Sequence, residues 1–364
     1  MSDQFNIANV DPYMNTQPAN ENGIVFHSPF EENFRLAGSA FQHLMDHRFR
    51  RLPFEPVVSP NVDVLAWYTA GMQLQFKSNS QRVVIKAELV YDNIMHHMPS
   101  TGSSGFDIYI GGPGNWRQYS STVFQPPTKE YSVEIFNRPE PGMREFLINF
   151  PLYNCVNSVW IGLDDGAEIL PPSPWSCNQP TVVYGTSITQ GGCASHPGGA
   201  WTNILSRWHN CEFYNFGFSG NGKGEPAAAE VLASIPDPRC YILDYEANSH
   251  EEGIKSTLDG FLNILRSKHP TVPILVISKA PHKSMLSFGA NDSCDEINPS
   301  SGRSRQYQME LIAKRQAAGD NNLHFINGLN LLGMDWDECM MDGCHFNDLG
   351  FYRFAENLNK YLQF

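Results

Sequence analysis

Three side chains, far apart in the chain except for two, are of the types that acyl-transfer chemistry requires. Ser187 stands in Val183–Gly191 (VYGTSITQG), where an apolar run ends and a helical stretch begins. Backbone amides and the helix dipole at such a place favour developing negative charge. Gly185 allows a tight exit from the run. By itself a serine here is most often a helix cap. Near the C-terminal end lies Asp342-Gly-Cys-His345, followed by FNDLGF. A serine hydroxyl needs a base to take its proton, and that base needs a carboxylate to orient it. Asp342 and His345 are close enough in one turn for the carboxylate to hold one imidazole nitrogen and leave the other for the serine. Alone, His345 reads as a solvated loop histidine, with Asn347 and Asp348 capping the last helix.

The middle of this half adds hydrogen-bond donors. Asn215–Gly220 (NFGFSG) and Leu243–Asn248 (LDYEAN) each follow or close an apolar run. The N–H of Gly220, the side-chain amide of Asn248 and the N–H of Ser187 form a three-donor oxyanion hole if they converge. One such donor lowers a barrier by about 3–4 kcal/mol. Separately, Gly220 is a turn glycine and Asn248 a strand-end cap.

In chain order, GTSITQG, the last Gly of NFGFSG, the Asn of DYEAN and DGCH resemble the four blocks of the SGNH hydrolases, the GDSL-like lipase/acylhydrolase superfamily. The longer string GTSITQGGCASHPGGAW is similar to the branch whose catalytic domain follows a β-rich domain bearing a GxDLY motif. Gly105-Phe106-Asp107-Ile108-Tyr109 (GFDIY) resembles that motif. The likeness covers about residues 180–364 for the four blocks, and most of 50–364 with the motif. It implies a serine esterase or acyltransferase with a three-layer α/β/α domain, no cofactor and no metal. Carried over by position, Ser187 is the nucleophile, Gly220 and Asn248 are oxyanion donors with the Ser187 amide, Asp342 orients and His345 is the general base. Thr186 stands where the signature has Asp, and Ile188 where it has Leu. Glu246 and Ala247 precede Asn248 where many relatives have Gly and Thr or Ser.

The elements that would position these groups follow two patterns. The first half reads as β: Val62–Phe76, Arg82–Tyr91, DIYIG, YSVEIF, REFLINF and SVWIGL are short runs separated by clusters such as GGPGNW and NRPEPGM. That grammar predicts an antiparallel, jelly-roll-like sandwich over residues 1–170, with 1–50 an irregular lead-in and a short helix within Phe34–Phe49. Leu170–Pro180 (LPPSPWSCNQP) is proline-rich, and residues 171–180 read as a packed linker. From 181 to 364 strands and helices alternate. TVVYG, CEFYNFGFSG, CYILDYEAN, PILVIS and LHFING are strands, and Ala200–Trp208, Glu225–Ala233, Ile254–Ser267, Gly302–Ala317 and Phe351–Leu362 are helical. This predicts a parallel sheet covered on both faces, with ligands beyond the carboxyl ends of its strands.

The remaining features narrow the function. With 25 Lys and Arg against 38 Asp and Glu, the net charge of −13 and the absence of a basic run speak against nucleic acid. No stretch of 18 apolar residues predicts a membrane span. The N-terminus lacks signal-peptide features, so the expectation is a cytoplasmic protein, or a secreted one whose leader has been removed. Eight cysteines without a CxxC pair read as free, mostly buried thiols. His196 reads as a loop histidine near the nucleophile, and Asp107 with Tyr109 as a structural pair joining the halves. Trp67, Trp116 and Trp160 read as core or rim aromatics. His282, Lys283, Asp292, Asp295 and Glu296 lack ordered ligand spacing and read as part of a solvated insertion over the pocket. The expected activity is hydrolysis of a short acyl ester, acetyl on a sugar or another small alcohol, through an acyl-enzyme on Ser187. The alternatives are transfer of the acyl group to a hydroxyl acceptor and, from another class, carbohydrate binding without catalysis.

Overall fold

The computed structural model describes residues 11, 19–92, 94–286 and 293–363. Apolar side chains drive most of the first half into strands that bury one or both faces, whereas Arg117–Ser121 is polar and largely exposed. These are β1 (Ile24–His27), β2 (Arg35–Ala37), β3 (Gln73–Ser78), β4 (Arg82–Leu89), β5 (Asp107–Ile110), β6 (Arg117–Ser121), β7 (Glu130–Asn137), β8 (Arg144–Asn149), β9 (Val156–Asp164) and β10 (Ile169–Leu170). One antiparallel sheet has the order β1-β9-β4-β7; the other has β10-β3-β8-β5-β6, with β2 on β3. Leu74 and Phe76 from one sheet share a core with Val83, Ile85, Ile161 and Leu163 from the other. Burial of each such side chain is worth about 1.5–3 kcal/mol.

The second half forms a parallel sheet of β11 (Cys177–Gly185), β12 (Cys211–Gly217), β13 (Cys240–Asp244), β14 (Ile274–Ile277) and β15 (Leu323–Ile326), in the order β12-β11-β13-β14-β15. Both faces are apolar. Val183 and Ile242 point to the side where helices Trp201–His209 and Asp348–Asn359 pack through Trp201, Ile204, Phe351 and Phe354. Val182, Tyr184 and Leu243 point to the other side, against helices Pro226–Ala233, Glu246–Lys268 and Pro299–Ala317. β11 has β12 on one flank and β13 on the other, and the helices after the neighbours β11 and β13, Trp201–His209 and Glu246–Lys268, lie on opposite faces. It is the switch point of the sheet, beyond whose carboxyl end a crevice opens.

Sequence and structure differ in the lead-in. Val62–Phe76 is not one strand: Pro60–Leu65 is helical, with Pro60 opening it and the Ser59 hydroxyl accepting from Val62 N at 3.3 Å. Within Phe34–Phe49 the helical part is a 3-10 turn, Gln42–Leu44, and Arg35–Ala37 is the strand β2. Phe41, Met45, Leu52, Val62 and Ala66 pack on the parallel sheet, not in the sandwich. The buried Arg51 guanidinium donates to the carbonyls of Asn215 and Gly217, at 2.7 and 2.8 Å. The two halves therefore share a core over these residues. β11 also starts at Cys177, before the TVVYG run.

Candidate active site

Ser187 is the first residue of a single helical turn, Ser187–Gln190, at the carboxyl end of β11. A Cβ on Gly185 would lie 2.1 Å from Thr189 Oγ1 and 2.7 Å from the Asp244 carbonyl. Only glycine lets strand, turn and β13 come this close. The N–H of Ser187, in the first turn, is among those without an intrahelical acceptor. The turn is tied down at several points. Tyr153 OH donates to the Ser187 carbonyl at 3.2 Å, and Gln190 Nε2 to the Leu152 carbonyl at 3.1 Å. Thr189 Oγ1 donates to Asp244 Oδ2 at 2.9 Å, and burial pushes the Asp244 carboxyl up to about 7.

His345 approaches from the loop before the last helix. Its Nε2 lies 2.9 Å from Ser187 Oγ and its Nδ1 2.8 Å from Asp342 Oδ2. A carboxylate only accepts, so Nδ1 carries the proton and Nε2 offers its lone pair to the hydroxyl. The second carboxylate oxygen accepts from the backbone N–H of His345 at 2.7 Å and of Cys344 at 2.9 Å. Partial burial opposes the charge, but these bonds, together with the imidazole, hold the Asp342 carboxyl down at about 2. The Asp342 carboxylate is thus ionised and held against His345 at any physiological pH.

The loop after β12 brings Gly220 alongside, in the left-handed region at φ +67. Among the described residues no acceptor takes its N–H. Gln190 holds this loop through its Oε1, which accepts from Ser219 N at 2.9 Å. Asn248 lies not at a strand end but in the first turn of Glu246–Lys268, just before a break at His250 with φ 55. Its Nδ2 donates to the Asn221 carbonyl, next to Gly220. An amide nitrogen has two protons, so one remains for a further acceptor. The five sequence-predicted positions thus come from four separate segments to one end of the sheet.

The GFDIY segment reaches this site from the sandwich. The buried Asp107 carboxylate accepts from Asn149 Nδ2 and pairs with His196 Nδ1, each at 2.6 Å, and accepts from Gly198 N at 2.5 Å. A Cβ on Gly198 would fall 2.5 Å from the Tyr109 ring. Tyr109 itself lies under the Arg207 guanidinium, 4.0 Å from the ring centre. Asp107 and Tyr109 therefore anchor the loop that follows the Ser187 turn. Burial lowers the affinity of His196 for a proton, but the bond to Asp107 and its charge outweigh that and raise its pKa.

The insertion residues have structural partners. Asp295 pairs with Arg305, Glu296 completes a capping box with Ser293, and His282 Nε2 bonds Ser284 Oγ at 3.0 Å. Lys283 N donates to the Gly343 carbonyl at 2.6 Å, in the Asp342–His345 turn. Asp292 lies outside the described residues. All eight cysteines are free, five of them buried. Trp160 is exposed, while Trp67 packs edge-on to Phe54. Sequence reasoning missed His97, whose ring stands 5.7 Å from that of His345. The adjacent pair His96-His97 before a proline was the available signal. It also missed Tyr153 and Gln190, which carry no motif. One nitrogen each of His97 and His345 and the Cys193 sulfur lie within 4.8 Å of one another, a set able to hold a metal ion.

Both halves of the chain are similar to known proteins. The GDSL-like Lipase/Acylhydrolase family matches residues 178–363, and the N-terminus of the Esterase_SGNH_hydro-type family, GxDLY, matches residues 24–169. A Bacteroides ovatus protein described as a GDSL-like lipase superposes with a TM-score of 0.82 at 28% identity, covering 93% of this chain and 97% of that one. The salicylyl-acyltransferase SsfX3 of a tetracycline biosynthetic pathway gives 0.72 at 18% identity, covering 94% and 97%. A family two carbohydrate esterase from Cellvibrio japonicus gives 0.59 at 14% identity, covering 93% and 97%. No curated protein matches the sequence. No described helix is long and apolar enough to cross a membrane. The first family matches residues 178–363, just over half of the chain; the chain belongs to the GDSL-like lipase/acylhydrolase family and is an ester-hydrolysing serine hydrolase.

Proposed function

We propose that Ser187 is the nucleophile of a two-step cleavage of short acyl esters, with a sugar or another small alcohol as leaving group. The relay at 2.9 and 2.8 Å from Ser187 Oγ through His345 to Asp342 carries this reading. As Oγ bonds to the carbonyl carbon, its proton passes to His345 Nε2, and Asp342 stabilises the imidazolium. The negative oxygen of the tetrahedral intermediate accepts from the N–H groups of Ser187 and Gly220 and from Asn248 Nδ2. The carbon–alkoxy bond then breaks, and His345 returns the proton to the departing alcohol. Water repeats the sequence on the acyl-enzyme and frees the acid.

Support for the substrate class is coarser. Carbohydrate esterases share the two-part fold over nearly their whole length, but their low identity speaks to the fold alone. The acyltransferase with the same fold makes the alternative concrete: a hydroxyl acceptor replaces water in the second step. A complete relay argues against carbohydrate binding without catalysis. The test is a panel of acetylated sugars, longer acyl esters and p-nitrophenyl acetate, run with and without added alcohols. Fastest turnover on acetyl esters, with water as the main acceptor, fits the proposal. Preference for long acyl chains, or dominant transfer to the alcohol, would replace it.

A further inference from the structure

Two neighbours of the relay have no part in the mechanism above. His97, from the loop ahead of residue 99, faces the His345 ring edge-on at 5.7 Å and stacks on His96 at 4.4 Å. Its Nδ1 is shut off from solvent and has no hydrogen-bond partner. A buried ring nitrogen without a partner calls for an explanation, such as an absent ion. Cys193 lies just past the nucleophile turn, buried, with a left-handed φ of 78 that a non-glycine residue rarely adopts. Its sulfur, one His97 nitrogen and one His345 nitrogen lie within 4.8 Å of one another.

Two imidazoles and a thiol are the donor set that zinc and similar soft divalent ions prefer. Around tetrahedral zinc the donors sit about 3.3–3.6 Å apart, given bonds of about 2.0–2.3 Å. The present spread, within 4.8 Å, has to close by about 1 Å when an ion binds. Asp342 occupies Nδ1 of His345, so the nitrogen open to an ion is Nε2. Asp342, His345 and an ion then form the carboxylate–histidine–metal arrangement that strengthens a ligating imidazole.

We propose that His97, Cys193 and His345 bind a thiophilic divalent cation such as Zn2+, and that this ion inhibits the enzyme by occupying the nitrogen His345 uses to activate Ser187. As the metal–sulfur bond forms, the thiol proton passes to solvent; removal of the ion restores the relay. The inhibition rests on the function proposed above, whereas the binding does not. The site joins the two halves, because His97 comes from the first and its partners from the second.

The test uses the full chain, freed of metal, as wild type and as Ser187→Ala, Cys193→Ser, Cys193→Ala and His97→Gln. Co2+ reports binding through its thiolate charge-transfer absorption. That band is expected in the wild type and in Ser187→Ala, lost in both Cys193 variants, and at least tenfold weaker in affinity for His97→Gln. In parallel, Zn2+ is titrated against p-nitrophenyl acetate turnover, each variant scaled to its own metal-free rate. Inhibition reversed by a chelator and shifted at least tenfold to higher Zn2+ by His97→Gln and a Cys193 variant is the expected result. His97→Gln, on a loop, stands in if the buried Cys193 variants fail to fold. Absence of the band in the wild type, or a band and inhibition unchanged in the variants, would overturn the site. Were no ester turned over at all, the function would fall while the Co2+ band still decided the site.

Discussion

Replacing Asp342 by asparagine tests how the relay works, because the structure dictates how the amide must sit. One carboxylate oxygen accepts two backbone N–H groups, at 2.7 and 2.9 Å, and the other faces His345 Nδ1 at 2.8 Å. Asparagine has one acceptor oxygen, and the two backbone N–H groups will hold it. Its NH2 group then faces Nδ1, which must give up its proton to avoid two donors meeting. The proton moves to Nε2, and His345 presents an N–H to Ser187 in place of a lone pair. The fold is undisturbed, but the base is in the wrong tautomer and the imidazolium has lost its counter-charge. In serine proteases the equivalent change costs about 10⁴ in kcat, or about 5.5 kcal/mol of barrier. We expect a loss of about that order for Asp342→Asn, with KM changed little and the melting temperature close to wild type. The assay is steady-state hydrolysis of p-nitrophenyl acetate, with circular dichroism to verify folding. A folded variant within tenfold of wild-type kcat would refute this role for Asp342.

Other perturbations follow from the same geometry. Ser187→Ala should lower kcat by at least about 10⁴ while leaving thermal stability unchanged, since among the described residues the hydroxyl bonds only to His345; retained turnover would argue for another nucleophile. Asn248→Ala should cut kcat by about 10²–10³ with little change in KM, and an effect confined to KM would mark it as a substrate-binding group instead. Asp244, pushed up to about 7 by burial, holds its proton in the folded state where the unfolded chain has lost it. Its contribution to stability is therefore full below the usual carboxylate range and falls as pH rises toward 7. Asp244→Asn, measured by urea unfolding, should gain stability relative to wild type on going from pH 4 to pH 8; a constant difference would contradict the shift. His196, raised by Asp107, contributes stability at low pH that fades as pH rises through its folded pKa. Asp107→Asn should accordingly destabilise more at pH 6 than at pH 9.

What could be read from the chain depended on the range of the physics involved. The parallel half was legible because its strands and helices differ in period and alternate, and because each strand is short and almost wholly apolar. Asp342 and His345 share one turn, so their spacing alone makes a carboxylate–imidazole pair plausible. Bringing Ser187, Gly220 and Asn248 to the same place was an inference from order, since nothing local encodes that approach. Asn248 was taken for a strand-end residue because DYEAN continues an apolar run, yet the helix begins at Glu246, where the Glu246 carboxylate accepts from Lys279 N at 2.7 Å. The strand Arg117–Ser121 was invisible because it is polar and largely solvent-exposed along its length. Packing of Phe41 to Ala66 against the parallel sheet, and the approach of His97 to His345, are long-range contacts between halves. Apolar residues and loop histidines carry no mark of which core or site they will join.

The most direct measurement is mass spectrometry of the intact protein and its peptides, quenched in acid during the first turnovers of p-nitrophenyl acetate. The account predicts one acetyl group per chain, located on Ser187, accumulating before the steady state and absent from Ser187→Ala. Hydrolysis that proceeds while the chain stays unmodified under every quench time, or acetyl found on a different residue with Ser187 untouched, would contradict it.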